Sequence, residues 1–263
     1  MIRSIAIILA AALVMPGLAT AETPEEKGLR IANEADASDT GFGDSVAVGT
    51  MVLRNKQGKE SIREFEARTL ESDDGDKIVN LFHKPRDVKG TALLTHSHAD
   101  GNDDQWLFLP ALKRVKRISS SNKSGSFVGS EFSYEDLSSP EVAKYTYKWL
   151  RDEKCPGAED LECFVIERFP TDKSSGYKRQ VSWIEQKTYR GYKIDYFDRK
   201  NAFLKTLTYH DYKVYLDKHW RPGKMVMSNH QTGKSTDMVW GEYKFKTGLR
   251  GSDFVSGRLK NLR

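Results

Sequence analysis

From residue 46 onward the chain is cut into about a dozen short β-prone runs joined by turns of hairpin length, a pattern that leads to an antiparallel meander and to little else. Runs 46–53 and 62–70 flank Asn55-Lys56-Gln57-Gly58, and run 77–83 follows Asp73-Asp74-Gly75-Asp76. Runs 91–95 and 105–109 flank a loop that bears two histidines. The series continues at 113–118, 145–150, 163–169, 180–187, 192–198, 204–215, 225–229 and 238–246. Neighbours in such a series pair with each other, so the expected fold is mainly β, a meander closed or nearly closed on itself. There is no internal repeat, low-complexity tract or linker, and residues 22–263 are expected to form one domain.

Two stretches interrupt the strands. Thr23-Pro24-Glu25-Glu26 is a capping box with proline at the first helical position, and Leu29, Ala32 and Ala35 supply a weak apolar stripe behind it. One short helix should therefore precede the sheet and end before Gly41. Residues 119–127 are small, polar and flexible, yet lead into Phe132 and Tyr134, as a flap with aromatic anchors would. Ser138-Ser139-Pro140-Glu141 repeats the cap-plus-proline signal and predicts a second short helix.

The N-terminus carries Arg3, an apolar run from Ile5 to Met15, Pro16-Gly17 and then Ala19-Thr20-Ala21, the arrangement of a secretory leader cleaved after Ala21. Its apolar core of about eleven residues falls short of the roughly twenty that a spanning helix needs. No cysteine follows the cleavage site to accept a lipid anchor, so a free periplasmic protein is expected. Export favours a disulfide between the two cysteines, Cys155 and Cys163, which enclose a turn-rich stretch between two strand-like runs. Losing Arg3 with the leader lowers the formal net charge from +5 to +4, a mild excess that is no nucleic-acid footprint. The basic run 113–117 alternates with apolar residues; it reads either as a solvated strand face or as a docking patch for anionic head groups or an acidic partner.

His96-Ser97-His98-Ala99-Asp100 matches the opening of the HxHxDH signature of metallo-β-lactamase-like hydrolases, but the histidine that should follow the aspartate is missing. Two histidines fall short of the three protein ligands of a catalytic zinc site. The strands on either side make the loop read as a hairpin tip, with Gly101, Asn102 and Asp103 suited to positive φ. A zinc hydrolase using His96, His98 and Asp100 is the competing reading. Nucleophile elbows, phosphate-cradling loops and dinucleotide fingerprints are absent from the sequence.

Three blocks carry a family resemblance: KPRDVKGTALL at 84–94, DQWLFLPALKRV at 104–115 and GSEFSYEDL at 129–137. In this order the chain resembles the outer-membrane lipoprotein-sorting protein family, the LolA/LolB-like periplasmic carriers. The resemblance implies an unclosed antiparallel β-barrel of about eleven strands, its concave apolar face covered by short helices and a flap loop. It also implies a non-enzymatic, cofactor-free role: binding a lipid or lipoprotein acyl chains in a hydrophobic cavity and moving them between inner and outer membrane, with only peripheral membrane contact. Members of this branch accompany RND-type (MMPL) inner-membrane exporters, which makes such an exporter an expected partner. A lipid-sensing module on the same half-barrel is an alternative that the residues leave open.

The resemblance places Trp106 and Phe108 in the cavity wall and Phe127, Phe132 and Tyr134 on the flap. Met51, Met225 and Met227 would let the lining adapt to variable chains, and Leu81, Leu93 and Trp149 complete the candidate ligand-binding set. Which of these face the cavity turns on strand parity, because a one-residue shift reverses the face.

Overall fold

The computed structural model describes residues 21–262. The leader expected at residues 1–21 thus lies outside the described residues, apart from Ala21. The capping box forms as read: Thr23 Oγ1 accepts the Glu26 amide (3.2 Å) and Glu26 Oε2 accepts the Thr23 amide (2.8 Å). Two of the amides that a helix start leaves without partners are thereby satisfied. The helix α1 (Pro24–Asp39) buries Gly28, Ile31 and Ala32. A Cβ at Gly28 would stand 2.8 Å from backbone atoms of Lys148 and Trp149, so glycine lets the helix ride directly on the strand beneath it.

The strands run β1 (Asp44–Arg54), β2 (Glu60–Leu70), β3 (Lys77–Lys84), β4 (Ala92–His96), β5 (Asp104–Leu109) and β6 (Arg114–Ile118). After a connection at 119–144 come β7 (Tyr145–Cys155), β8 (Ala158–Pro170), β9 (Tyr177–Glu185), β10 (Gly191–Asp198) and β11 (Phe203–His210). Then follow β12 (Lys213–Tyr215), β13 (His219–Arg221), β14 (Lys224–Asn229) and β15 (Ser235–Phe245). Thirteen of them form one antiparallel sheet in the order β6-β5-β4-β3-β2-β1-β15-β14-β11-β10-β9-β8-β7. The chain walks outward from the centre to β6, crosses to the far edge at β7, and walks back until β15 pairs with β1. The two edges do not pair, so the half-barrel is open, and the 119–144 strap links one edge to the other.

Three local differences from the sequence reading have simple causes. The run at 204–215 is two strands, because Asp211 takes a left-handed φ of 56° and turns the chain out of the sheet. It pairs instead as β12 with β13, a three-residue strand too short to leave a pattern. The helix signalled at Ser138–Glu141 reduces to a single 3-10 turn at Val142–Lys144. The sheet also has thirteen strands rather than about eleven.

Alternate residues of β3, β4 and β5 face opposite ways, and both faces are covered. Phe82, Leu93 and Leu107 join Met51, Phe65, Leu207, Met227 and Met238 on the concave face. Leu81, Leu94, Trp106 and Phe108 pack on the other face beneath Phe254 and Leu259 of the C-terminal segment. At the far edge Ile31 and Ala32 of α1 pack on Tyr147, Ile166 and Ile184. The expected disulfide is present, joining Cys155 and Cys163 across the β7–β8 hairpin with Cα atoms 5.0 Å apart.

Candidate ligand-binding site

The strap begins with small polar residues that supply turns, and its central part folds back on itself: the Phe127 amide donates to Phe132 O (2.8 Å) and the Tyr134 amide to Gly125 O (3.0 Å). This drives Phe127 and Phe132, each 1% exposed, into the concave face. Phe127 meets Phe82 at 5.5 Å between ring centroids and Tyr134 at 6.0 Å. Burial of each phenylalanine contributes about 2–3 kcal/mol to seating the strap.

A polar latch adds direction. Lys205 Nζ of β11 donates to Asp136 Oδ2 (2.6 Å) and to Glu131 O (3.0 Å), and the ion pair is almost wholly removed from water. Asp136 also accepts from Tyr177 Oη and from the Ser133 amide, both at 2.7 Å. Gln105 Nε2 donates to Tyr134 O (2.8 Å), and the Glu131 amide donates to Thr236 Oγ1 (3.0 Å). Both wings of the sheet therefore hold the strap down.

Beneath it the concave space is partly empty. One cavity of about 670 Å³ lies between the strap and β7–β11, with Ile118, Tyr145, Ile194, Leu207, Tyr209 and Met225 in its wall. A second, also about 670 Å³, lies under α1 beside Asp36, Glu71, Asp76, Tyr147 and Ile166. A third, of about 500 Å³, runs toward Ala47, Ala67, Trp220 and Trp240. Ser139 and Pro140 of the strap line all three. Each falls within the ~300–1,000 Å³ of small-molecule sites.

The lining is aromatic and polar as well as aliphatic. Tyr177 and Tyr196 stand 4.8 Å apart, and burial pushes both hydroxyls well above the ordinary tyrosine range. Burial likewise pushes Tyr147 and Tyr209 up to about 12. These rings are neutral walls that can still donate a hydrogen bond. At the second cavity, burial raises Asp76 to about 6, although Ser139 Oγ donates to its Oδ2 at 3.0 Å.

Of the residues singled out from the sequence, Met51, Leu93, Phe127, Phe132, Tyr134, Met225 and Met227 converge on the concave cluster. Met225 lines the open space, whereas Met51, Leu93, Met227 and the two phenylalanines fill the packed end of it. Leu81, Trp106 and Phe108 do not reach the cavity; odd-even parity turns them to the opposite face. Trp149 lies under the helix, with Lys27 Nζ 3.7 Å from its ring centroid. The tyrosines 145, 177, 196 and 209, together with Arg168, line the first cavity and were not legible beforehand. Their only signal was alternation along β7–β11, which cannot be phased without knowing which face is hollow.

The histidine loop is a hairpin tip between β4 and β5. His96 Nε2 sits 2.7 Å from Phe254 O, its ring edge-on to Trp106, while His98 faces Asp104 at 3.3 Å. The two imidazoles are thus committed to different partners. No group of three or more His, Cys, Asp or Glu side chains arranged to hold a metal occurs among the described residues.

An open antiparallel half-barrel with a strap across its mouth and hollow space beneath defines the class of LolA-like proteins. A LolA-superfamily protein from Nitrosomonas europaea shares this fold, with a TM-score of 0.69 at 19% identity over 87% of this chain and 97% of that one. A domain from Vibrio parahaemolyticus, provisionally described as an outer membrane lipoprotein-sorting protein, is 55% identical with a TM-score of 0.87, covering 90% of this chain and 99% of its own. A DUF1329 family protein from Desulfovibrio piger is 30% identical with a TM-score of 0.83 over 90% and 99%. A family profile described as an uncharacterised protein matches residues 74–261. No curated protein matches the chain. The chain belongs to the outer-membrane lipoprotein-sorting protein family.

Proposed function

We propose that this protein is a non-enzymatic periplasmic carrier that takes a lipid, or the acyl chains of a lipoprotein, into the strap-covered cavity and moves it between the inner and outer membrane. Residues 22–263 work as one unit in this reading. The observation that carries it is the hollow concave face itself: adjacent cavities with Ile118, Ile194, Leu207 and Met225 in the wall, beneath a strap. At about 0.8 kcal/mol per buried CH₂, a diacyl chain of some thirty methylenes costs on the order of 20 kcal/mol to expose to water. A covered cavity removes most of that cost without any chemistry. The 55% identical relative, described as a lipoprotein-sorting domain, supports the same reading.

Among the described residues no helix is long and apolar enough to cross a membrane; peripheral membrane contact is part of the proposal. An RND-type (MMPL) exporter is the proposed donor or acceptor. The test is organic extraction and native mass spectrometry of the protein purified from its own periplasm, alongside Leu207→Glu and Met225→Glu, which place a charge in the cavity wall. Acylated molecules that accompany the wild type and are lost in both variants support the carrier. A protein that binds no acyl compound in either experiment, even when offered oleate, refutes it.

A further inference from the structure

The carboxylates around the first cavity are matched by groups of the protein itself. Asp103 pairs with Lys144, Asp172 with Lys123 and Asp136 with Lys205. Glu135 accepts from the Gly176 amide (2.8 Å) and from Ser175 Oγ (2.9 Å). Asp100 stands on the exposed hairpin tip at the rim. Among the cations lining it, Lys173 is without an ion pair among the described residues but is exposed to solvent, whereas Arg168 is half-buried and lacks one. Arg168 stands on β8 and lines both the first and the second cavity. Among the described residues its one side-chain hydrogen bond runs from Nε to Gln180 Oε1 (2.8 Å), and its guanidinium lies 4.6 Å from the centroid of the Tyr145 ring. Among the described residues no carboxylate reaches ion-pair distance of it.

Arg168 is half-buried, and a partly desolvated charge without a counter-charge is costly unless something compensates it. The guanidinium is planar and presents paired donors matched to an oxyanion. Here Nε is spent on Gln180, and the two terminal nitrogens of this cavity-lining residue have no hydrogen-bond partner among the described residues. Gln180 and the Tyr145 ring hold the plane in place, so little side-chain freedom is lost when an anion docks. The apolar wall of Ile194, Leu207 and Met225 belongs to the same cavity.

We propose that Arg168 is the anchor for the oxyanion head group, carboxylate or phosphate, of an amphiphile whose chain runs along that apolar wall. This rests on the carrier reading and narrows its cargo from acyl chains in general to anionic amphiphiles. It gives the ligand a fixed polarity in the cavity, head toward β8.

The test compares delipidated wild type with Arg168→Gln and Arg168→Lys, using oleate, oleoyl lysophosphatidate, oleyl alcohol and inorganic phosphate as separate titrants. Displacement of a fluorescent fatty acid and thermal shift are the readouts. Wild type should bind one or both anionic amphiphiles roughly ten- to a hundred-fold more tightly than the alcohol, as a charge-assisted pair implies. In Arg168→Gln that ratio should fall to near one, and Arg168→Lys, which keeps the charge and loses the fork, should retain part of it. Near-UV circular dichroism checks that the variants fold; if Arg168→Gln does not, the lysine variant decides by its reduced ratio. A wild type with no preference, or a preference unchanged by either substitution, overturns the head-group site and leaves the carrier standing. A shift with inorganic phosphate alone equal to that with lysophosphatidate assigns the site to a free anion and overturns it too. A wild type that binds none of the oleoyl compounds refutes the carrier reading itself.

Discussion

Replacing Lys205 with methionine keeps the length and the apolar stem of the side chain but leaves Asp136 buried without its cation. Both partners are nearly sealed from water, and removing one member of such a pair costs about 3–5 kcal/mol because the other charge is left uncompensated. Asp136 keeps its bonds from Tyr177 Oη and the Ser133 amide, each 2.7 Å, so the lower end, about 3 kcal/mol, applies. The bond from Lys205 to Glu131 O is lost at the same time, and both losses fall on the strap. Since about 1.4 kcal/mol is tenfold in an equilibrium, the strap should open roughly a hundred times more often. Hydrogen exchange read by mass spectrometry should therefore quicken about a hundredfold for amides of 126–136. Amides of the β1–β2 pair should change little, because strands that far from the latch open by a separate event. Lys205→Met combined with Asp136→Asn removes the orphaned charge and should recover most of the protection. Unchanged exchange in the strap would refute the latch. Loss of protection spread evenly over the sheet, with no recovery in the double variant, would refute the argument from buried charge.

Trp106→Ala should cost about 2 kcal/mol in urea unfolding, less than the 3–5 kcal/mol of a fully buried aromatic, yet leave oleate binding as it is, because Trp106 packs against the C-terminal segment; weakened binding would return Trp106 to the cavity wall. Asp76 has a folded value of about 6 against an ordinary 3.8, so the folded state binds the extra proton between those pH values and stability declines as pH rises through that window. Asp76→Asn should abolish that decline and raise stability at pH 7 by about 1–3 kcal/mol, and melting curves from pH 4 to 7 that match the wild type would contradict it. Replacing both Cys155 and Cys163 with serine opens a loop of eight-residue separation and should lower stability by about 2–3 kcal/mol; an unchanged urea midpoint would show that the hairpin holds itself.

Local signals wrote much of this molecule. The capping box at Thr23–Glu26 fixed where α1 begins, because the groups that satisfy a helix start are neighbours in the chain. Turn residues punctuated the strands closely enough that all but the short β12 and β13 were legible as separate strands. The cysteine pair was readable too, since its two strands are joined by a short turn. Blocks at 84–94, 104–115 and 129–137 carried the family resemblance that structural relatives then bore out.

Parity was another matter. A strand with one wet face shows its inward side by alternation, but β3 and β4 are buried on both faces and read as continuous apolar runs. Leu93 and Leu94 are adjacent and equally greasy; one faces the strap and the other the C-terminal segment. Composition could not say that a tail from residue 251 onward would cover Trp106 and Phe108, because that contact joins segments far apart in the chain. The same holds for the cavity. Arg168, Gln180 and Tyr145 lie on three different strands, and each alone reads as ordinary strand polarity. The sequence by itself determined most of the strands, the hairpin pairing of chain neighbours, the first helix and the disulfide, all set by interactions close along the chain; the β1–β15 pairing joins the two halves of the sheet from far apart in the chain. Only the curvature of the closed-over sheet decided which face would be hollow, and so which side chains look into it.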